Sequence, residues 1–176
     1  PEKAERRYAM QRKKVILKIV FSGTAMLAVM TAIFLFSAQT GSVSSQTGNS
    51  VGAFVLRLLG IEVPPGQSPS SVPILFGLNI RKCAHVFIYM LLGLTAFLFV
   101  SSLFCLSTRE IKYKLLYIAL ATLAICFVYA CLDEWHQSFV AGRAAALSDV
   151  GIDSIGFITA TLLCSAVRAL HTLSKK

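Results

Sequence analysis

The sequence predicts an all-α integral membrane protein: a four-helix bundle with an N-in, C-in topology and an amphipathic helix in its long first extracytoplasmic loop. Three observations predict this fold class. Only 14% of the residues are charged, whereas soluble domains carry about 25%, and the mean hydropathy is +0.71. Four apolar stretches are long enough to cross a hydrocarbon core of about 30 Å. The basic residues are concentrated in alternate connecting segments, which indicates the orientation.

The four apolar stretches cover approximately residues 15–38, 83–106, 115–132 and 150–170. They form one predicted transmembrane domain over residues 15–170, because the chain is short for two domains. The first stretch is too long for a cleaved signal peptide, and polar residues rather than a small-residue cleavage site follow it. It is therefore predicted to remain as a span. Since the sequence starts at Pro1 rather than methionine, we expect further residues before it.

The distribution of basic residues predicts the orientation. Residues 1–14 form a basic segment before the first span, and residues 171–176 form a basic tail. Arg109, Lys112 and Lys114 lie between the second and third spans. The connections on the opposite side hold only four of the 17 Lys and Arg side chains: Arg57, Arg81, Lys82 and Arg143. Because cytoplasmic loops are enriched in Lys and Arg, both ends of the chain are predicted to face the cytoplasm.

The net charge of +9 does not indicate a nucleic-acid partner. No DNA- or RNA-binding motif accompanies it, and basic segments beside membrane spans are typical of contact with anionic lipid headgroups. The five cysteines form no CxxC pair and lie in or beside apolar runs, so we interpret them as packing residues.

The outer loop between the first two spans contains a predicted helix at about residues 50–60, lying in the membrane interface or over the bundle. Its apolar residues recur at helical spacing: Val51, Phe54, Val55, Leu58 and Leu59. Asn49 or Ser50 is predicted to cap its start, and Gly60 its end. Five prolines and glycines between Pro64 and Pro73 then exclude a continuous helix.

The predicted topology brings polar residues from four distant segments to one level at the outer ends of the spans. They are Ser37, Gln39, Arg81, Lys82, His85, Tyr89, Asp133, Glu134, His136, Gln137, Arg143, Asp149 and Asp153. Lys82, His85 and Tyr89 share one helix face, because they are three and four residues apart. We expect Arg143 and Lys82 to be the counter-charges of the three aspartates. Gly93 continues that face, and Gly156 and Ala160 continue the face of Asp153, so neighbouring backbones can approach closely.

Ionisable residues inside a membrane indicate a functional site, although ion pairs that only hold the bundle together are an alternative. One hypothesis is a binding site for an anionic or lipid-linked headgroup, whose phosphate Arg81, Lys82 and Arg143 would contact. The ligand-binding set also includes Gln39, Tyr89, Gln137, Asp149 and Asp153. A transporter is disfavoured, since the polar residues gather at one end rather than crossing the membrane.

A second hypothesis is a membrane hydrolase or transferase acting on a phospholipid or lipid-linked phosphate. Its candidate catalytic residues are His85, His136, Asp133 and Glu134. The histidines could act directly in acid–base or nucleophilic chemistry. Alternatively, a metal ion could be held by ligands drawn from His85, His136, Asp133, Asp149 and Asp153, with Glu134 as general base. The sequence identifies no cofactor, and no HExxH or P-loop motif is present.

Three blocks of the sequence resemble the VanZ-like family. The first is the Phe36–Gln39 end of span one with the serines after it. The second runs from Arg81 to Gly93 and is similar to the pattern K-x-x-H-x-x-x-Y-x-x-L-G. The third comprises Asp133–Phe139, Gly142-Arg143, Asp149, Asp153 and Gly156. One departure is Ala141, where the family pattern has proline.

The resemblance implies a multi-pass protein of the bacterial cytoplasmic membrane with a role in the cell envelope. The family is named for a component associated with teicoplanin resistance, so an effect on susceptibility to this antibiotic class is expected. The implied partners are membrane lipids and a lipid-linked cell-wall precursor or lipoglycopeptide. The family's biochemical activity is poorly defined, so the resemblance names no reaction.

Overall fold

The computed structural model describes residues 2–106 and 113–174, and its long elements are helices. The helices are α1 (Glu2–Ser37), α2 (Gly41–Leu59), α3 (Ile80–Leu106), α4 (Lys114–Gln137) and α5 (Leu147–Leu173). Between α2 and α3 lie a 3₁₀ turn, Pro69–Ser71, and an antiparallel pair of short strands, β1 (Pro73–Leu75) and β2 (Leu78–Asn79). The helices α1, α3, α4 and α5 are each long and apolar enough to cross a membrane. The predicted all-α fold with four spans is confirmed to that extent. Arg109, Lys112, Lys175 and Lys176 lie outside the described residues.

Helix α1 begins at Glu2, so the basic segment predicted over residues 1–14 continues into the first span as one helix. No glycine or proline interrupts the sequence between Glu2 and Phe21, and its Ala, Arg, Lys, Glu and Gln residues favour helix. The Arg6 guanidinium also donates to the Glu2 carboxylate one turn away, at 2.6 Å. The basic segment is therefore a helical extension rather than a separate arm.

Helix α2 begins at Gly41, well before the predicted start at about residue 50. The predicted cap at Asn49 or Ser50 is wrong, whereas the end at Gly60 is confirmed by its left-handed backbone, with φ of 67°. The Gly- and Ser-rich residues 41–50 have low helix propensity. Tertiary contacts override that propensity: the Gly41 amide donates to the Ala141 carbonyl at 3.0 Å, and the Ser70 hydroxyl donates to the Asn49 carboxamide at 2.7 Å.

The face that α2 buries is not its predicted apolar stripe. Leu56 is 1% exposed and packs with Val72 and Ile80, whereas Phe54 and Leu58 of the stripe are more than half exposed. Leu56 therefore anchors α2 to the segment that precedes α3 and to the start of α3. Phe54 and Leu58 of the apolar stripe remain exposed. This arrangement agrees with a helix lying in the membrane interface.

Helix α3 is the centre of the bundle and packs against α1, α4 and α5. Close approach to α5 depends on the predicted small residues. A Cβ added at Gly156 would collide with the Val86 carbonyl oxygen and lie 2.8 Å from the Met90 amide nitrogen. A Cβ added at Gly93 would lie 2.8 Å from the Phe157 Cα. The expected close contact at both glycines is therefore confirmed.

Candidate functional site: a cation-lined cavity at one end of the bundle

An imidazole–carboxylate pair joins α3 to α5. His85 Nδ1 lies 3.2 Å from Asp153 Oδ1, and the Asp153 side chain is fully buried while that of His85 is 29% exposed. The contact of Gly156 with Val86, one turn below Asp153, brings the two backbones close enough for this pair. A carboxylate that accepts from Nδ1 orients the ring and leaves Nε2 as the nitrogen with a free lone pair. The pair therefore presents a potential base to its surroundings.

A second carboxylate, Asp133, is held by neutral donors. The Tyr89 hydroxyl donates to Asp133 Oδ2 at 3.3 Å, and the Gln137 carboxamide donates to the same oxygen at 2.9 Å. Gln137 also donates to the Ser37 hydroxyl at 3.3 Å. All four side chains are buried, so this network connects α1, α3 and α4 in an environment where unmade hydrogen bonds are costly.

Arg143 follows α4 in the connection to α5 and extends over the end of α1. Its guanidinium donates to Gln137 Oε1 at 2.6 Å, to Ser44 Oγ at 2.7 Å and to the Phe36 carbonyl at 3.2 Å. The Arg81 guanidinium reaches the same Ser44 hydroxyl at 3.5 Å. Burial, together with the positive charge of Arg81, lowers the pKa of Arg143. Two cations therefore share one small neutral acceptor, and an anion between them would relieve their repulsion.

The expected charge pairing is wrong. Within residues 2–106 and 113–174, the ion pairs are Arg6–Glu2 and His85–Asp153. Arg143 and Lys82 therefore form no salt bridge with any of the three aspartates. The reason is geometric: Asp133 and Asp153 are buried between helices with uncharged or imidazole partners, while Arg143 lies in a loop among neutral oxygens. The charges of Arg143 and Lys82 are therefore not neutralised by a salt bridge to these carboxylates.

Two cavities meet at these cations. A polar cavity of about 370 Å³ is lined by residues that include Arg81, Lys82, His85, Arg143, Asp149 and Asp153. An apolar groove of about 360 Å³ lies between α1, α2 and α3, and its lining includes Ile33, Phe36, Val51, Phe87, Ile88 and Leu91. Arg81, His85 and Arg143 line both cavities. A charged compartment thus lies directly beside an apolar one.

The predicted site residues divide into three groups. The polar cavity contains Arg81, Lys82, His85, Gln137, Arg143, Asp149 and Asp153. The groove adds Gln39, Tyr89 and Asp133. Glu134 and His136 line neither: Glu134 Oε2 accepts from the Ala146 amide at 2.9 Å, at the start of α5, and the His136 ring stacks on Phe34 with centroids 4.7 Å apart. Glu134 and His136 therefore hold elements together in this structure.

The candidate metal ligands are dispersed over three environments. His85 pairs with Asp153, Asp133 contacts Tyr89 and Gln137, and His136 packs against α1. Among the described residues, no three His, Cys, Asp or Glu side chains gather closely enough to hold a metal ion.

Sequence reasoning missed two contributors to the site, Ser44 and Asn79. Ser44, which joins the two arginines, lies in the serine-rich stretch after span one but was not singled out by spacing. Asn79 lines the polar cavity and accepts from the Lys82 amide at 2.9 Å, and its position three residues before Lys82 is typical of a helix cap. Ala141 contributes a carbonyl oxygen to Gly41, so its difference from the family proline leaves this backbone contact intact.

Comparison with known proteins gives one match. The sequence profile described as VanZ/LLP1 matches residues 22–168, which include all of α2, α3 and α4, most of α5 and the C-terminal part of α1. Neither the curated proteins nor the solved structures contain a match to this chain.

Proposed function

The chain belongs to the VanZ/LLP1 family of multi-pass membrane proteins, and from this premise we propose that it binds an amphiphile with a phosphate-class anionic headgroup. The headgroup occupies the polar cavity, and the lipid chain leaves along the apolar groove. The observation that carries this proposal is the shared wall of Arg81, His85 and Arg143. A ligand that fills both compartments must itself be charged at one end and apolar at the other.

The arrangement of the cations supports an anionic headgroup. Because the Arg81 and Arg143 donors reach the same Ser44 oxygen, their repulsion is on the order of 1–3 kcal/mol at an effective dielectric constant of about 20. Because Arg81 is exposed to solvent, which screens its charge, the repulsion is toward the lower end of that range. A phosphate oxygen between the two guanidinium groups would replace this repulsion with charge-assisted hydrogen bonds, each contributing about 1.5–3 kcal/mol.

The groove contributes to the position of the lipid chain rather than to the affinity. A lipid chain that moves from the bilayer into the groove exchanges one apolar environment for another, so little hydrophobic free energy is gained. The groove therefore positions the chain while the headgroup contacts decide the affinity. Helix α2 borders the groove at Val51, and its exposed apolar residues Phe54 and Leu58 would lie in the surrounding lipid.

The distribution of basic residues supports a cavity at the outer leaflet of the bacterial cytoplasmic membrane, with both chain ends in the cytoplasm. There the ligand would be an anionic phospholipid, a lipid-linked cell-wall precursor or a lipoglycopeptide. Each of these has a charged headgroup and an apolar chain. Occupancy of this site would alter the envelope components that glycopeptides of the teicoplanin type encounter, and hence susceptibility to them.

The test is lipid binding by the purified protein in phosphatidylcholine nanodiscs, titrated with phosphatidylglycerol. Arg143→Ala is expected to weaken binding by about 10-fold or more, since it removes a charge-assisted contact. Lys82→Ala is expected to cause a smaller loss. Arg57→Ala is the matched control, because Arg57 is exposed on α2 and lines neither cavity. Equal retention of the anionic lipid by all three variants and the wild type would remove the proposal.

Hydrolysis of a lipid phosphate is a second candidate, favoured by the His85–Asp153 pair beside the cations. The oxygen of a water molecule would bond to phosphorus as the phosphorus–oxygen bond to the leaving group breaks. His85 Nε2 would accept the proton from that water and return it to the leaving oxygen, with Asp153 holding the ring. Arg81 and Arg143 would stabilise the charge on the phosphoryl oxygens.

This candidate is tested by phosphate release from a polyprenyl diphosphate in detergent. His85→Ala is expected to reduce the rate about 100-fold or more, as for loss of a general base, and Asp153→Asn to reduce it strongly. His171→Ala serves as the control, because His171 is exposed near the opposite end of α5. A wild-type protein that binds the lipid but releases no phosphate would leave binding as the function and reject hydrolysis.

A further inference from the structure

The polar cavity has an acidic wall as well as a basic one. Arg81, Lys82 and Arg143 supply positive charge, and Asp149 and Asp153 supply carboxylates to the same lining. No Lys or Arg within the described residues lies within salt-bridge distance of either aspartate. A cavity for a bare phosphate would not need carboxylates, which repel it.

Both carboxylates retain unused acceptor capacity. Asp153 is 0% exposed, and while Oδ1 contacts His85, the buried Oδ2 has no hydrogen-bond partner. Asp149 is half-buried in the first turn of α5, and its contact with the neighbouring Ser148 hydroxyl is long, at 3.5 Å. Ionised carboxylates can only accept hydrogen bonds. The acidic wall is thus complementary to donor groups on a ligand.

We infer that the headgroup is a phosphodiester substituted with hydroxyl groups, as in a glycerol or sugar substituent, and that Asp149 accepts from those hydroxyls. The inference rests on the proposed binding of an anionic amphiphile. Hydroxyls fit better than an ammonium group, because three cations face two carboxylates, one of them paired with His85, and a ligand with a net negative charge balances them. A volume of about 370 Å³ is also in the range of whole small-molecule ligands rather than a single phosphate.

The matched probes are phosphatidylglycerol and phosphatidylethanol, which are both phosphodiesters of the same charge and differ in the headgroup hydroxyls. Phosphatidylinositol is the third probe, with its hydroxyls on a ring. Each lipid is titrated into wild-type protein in phosphatidylcholine nanodiscs with identical acyl chains. We expect at least one hydroxylated lipid to bind about 5- to 10-fold more tightly than phosphatidylethanol, as for one or two hydrogen bonds to a carboxylate. The order of the two hydroxylated lipids distinguishes a glycerol from a ring-shaped substituent.

The variant Asp149→Asn tests the role of the acidic wall. Removing a negative charge strengthens the binding of every anionic lipid. The readout is therefore the ratio of the affinity for the preferred hydroxylated lipid to the affinity for phosphatidylethanol. That ratio is expected to fall toward one in Asp149→Asn and to be unchanged in Glu62→Gln, which removes an exposed carboxylate from the loop after α2. Thermal unfolding of both variants checks that the bundle is intact.

The outcomes separate the inference from the proposal beneath it. Equal affinity of the wild type for phosphatidylethanol and both hydroxylated lipids would overturn the inference and leave anionic-lipid binding in place. A preference that survives in Asp149→Asn would overturn the role of Asp149. Binding of all three lipids no tighter than that of phosphatidylcholine would instead reject the proposed function.

Discussion

Replacing Gly156 with alanine is expected to separate α3 from α5 and to disturb the site above the contact. The added methyl group would collide with the Val86 carbonyl oxygen and would also lie 2.8 Å from the Met90 amide nitrogen and 3.1 Å from the Val86 carbonyl carbon. These are backbone atoms of a helix, so no side-chain rotation can remove the overlap. The two helices must move apart or shift along each other.

The expected loss of stability in Gly156→Ala can be estimated from this overlap. Overpacking of a well-packed interior costs about 1–3 kcal/mol, while the helix propensity of alanine over glycine returns about 0.5–1 kcal/mol. Gly156→Ala is therefore expected to destabilise the protein by roughly 1–2 kcal/mol from these two terms. The displacement also acts on the His85–Asp153 pair. Its Nδ1–Oδ1 distance of 3.2 Å can lengthen by only a few tenths of an ångström before the hydrogen bond is broken.

The assay is unfolding of the purified protein in mixed micelles by titration with sodium dodecyl sulfate. Gly151→Ala is the matched control: Gly151 is in the same helix and exposed, and a Cβ added there meets nothing within 4 Å. The control is expected to be neutral or more stable than the wild type by up to about 1 kcal/mol. If Gly156→Ala proved as stable as Gly151→Ala and bound anionic lipid normally, the close α3–α5 contact would not be what positions the pair.

Three further predictions concern the surrounding network. Tyr89→Phe removes one of the two donors to the buried Asp133 carboxylate and is expected to cost about 1–3 kcal/mol in the same unfolding assay. Gly41→Ala places a methyl group against the Gly142 carbonyl oxygen. Limited proteolysis is therefore expected to cut the α1–α2 and α4–α5 connections faster than in the wild type. Arg143→Lys keeps the charge but loses the planar fork that reaches three acceptors, so anionic-lipid affinity is expected to fall between those of the wild type and Arg143→Ala.

Much of the fold could be predicted from the sequence because lipid imposes strong constraints. A span must be long and apolar, and small residues on one helix face indicate close packing. The contacts of Gly93 with α5 and of Gly156 with α3 confirm this packing. The start of α2 could not be predicted, since residues 41–50 have weak helix propensity and are helical through contacts with residues distant in sequence. Propensity alone carries no information about those contacts.

The members of the site were largely predictable, whereas their partners were not. Helix spacing placed His85 and Tyr89 on one face, and both line the groove. Charge signs suggested that Arg143 would pair with an aspartate, but its acceptors are Gln137, Ser44 and the Phe36 carbonyl. Which acceptor an arginine finds depends on loop conformation and on which carboxylates are buried, and neither property is encoded in spacing or sign.

The glycine contact between α3 and α5 also makes the geometry of the His85–Asp153 pair independent of the loop between α2 and α3. The His85–Asp153 geometry depends on the register of two packed helices, not on the conformation of residues 60–79. That segment could therefore be lengthened, shortened or changed in composition while the imidazole and the carboxylate keep their relative positions.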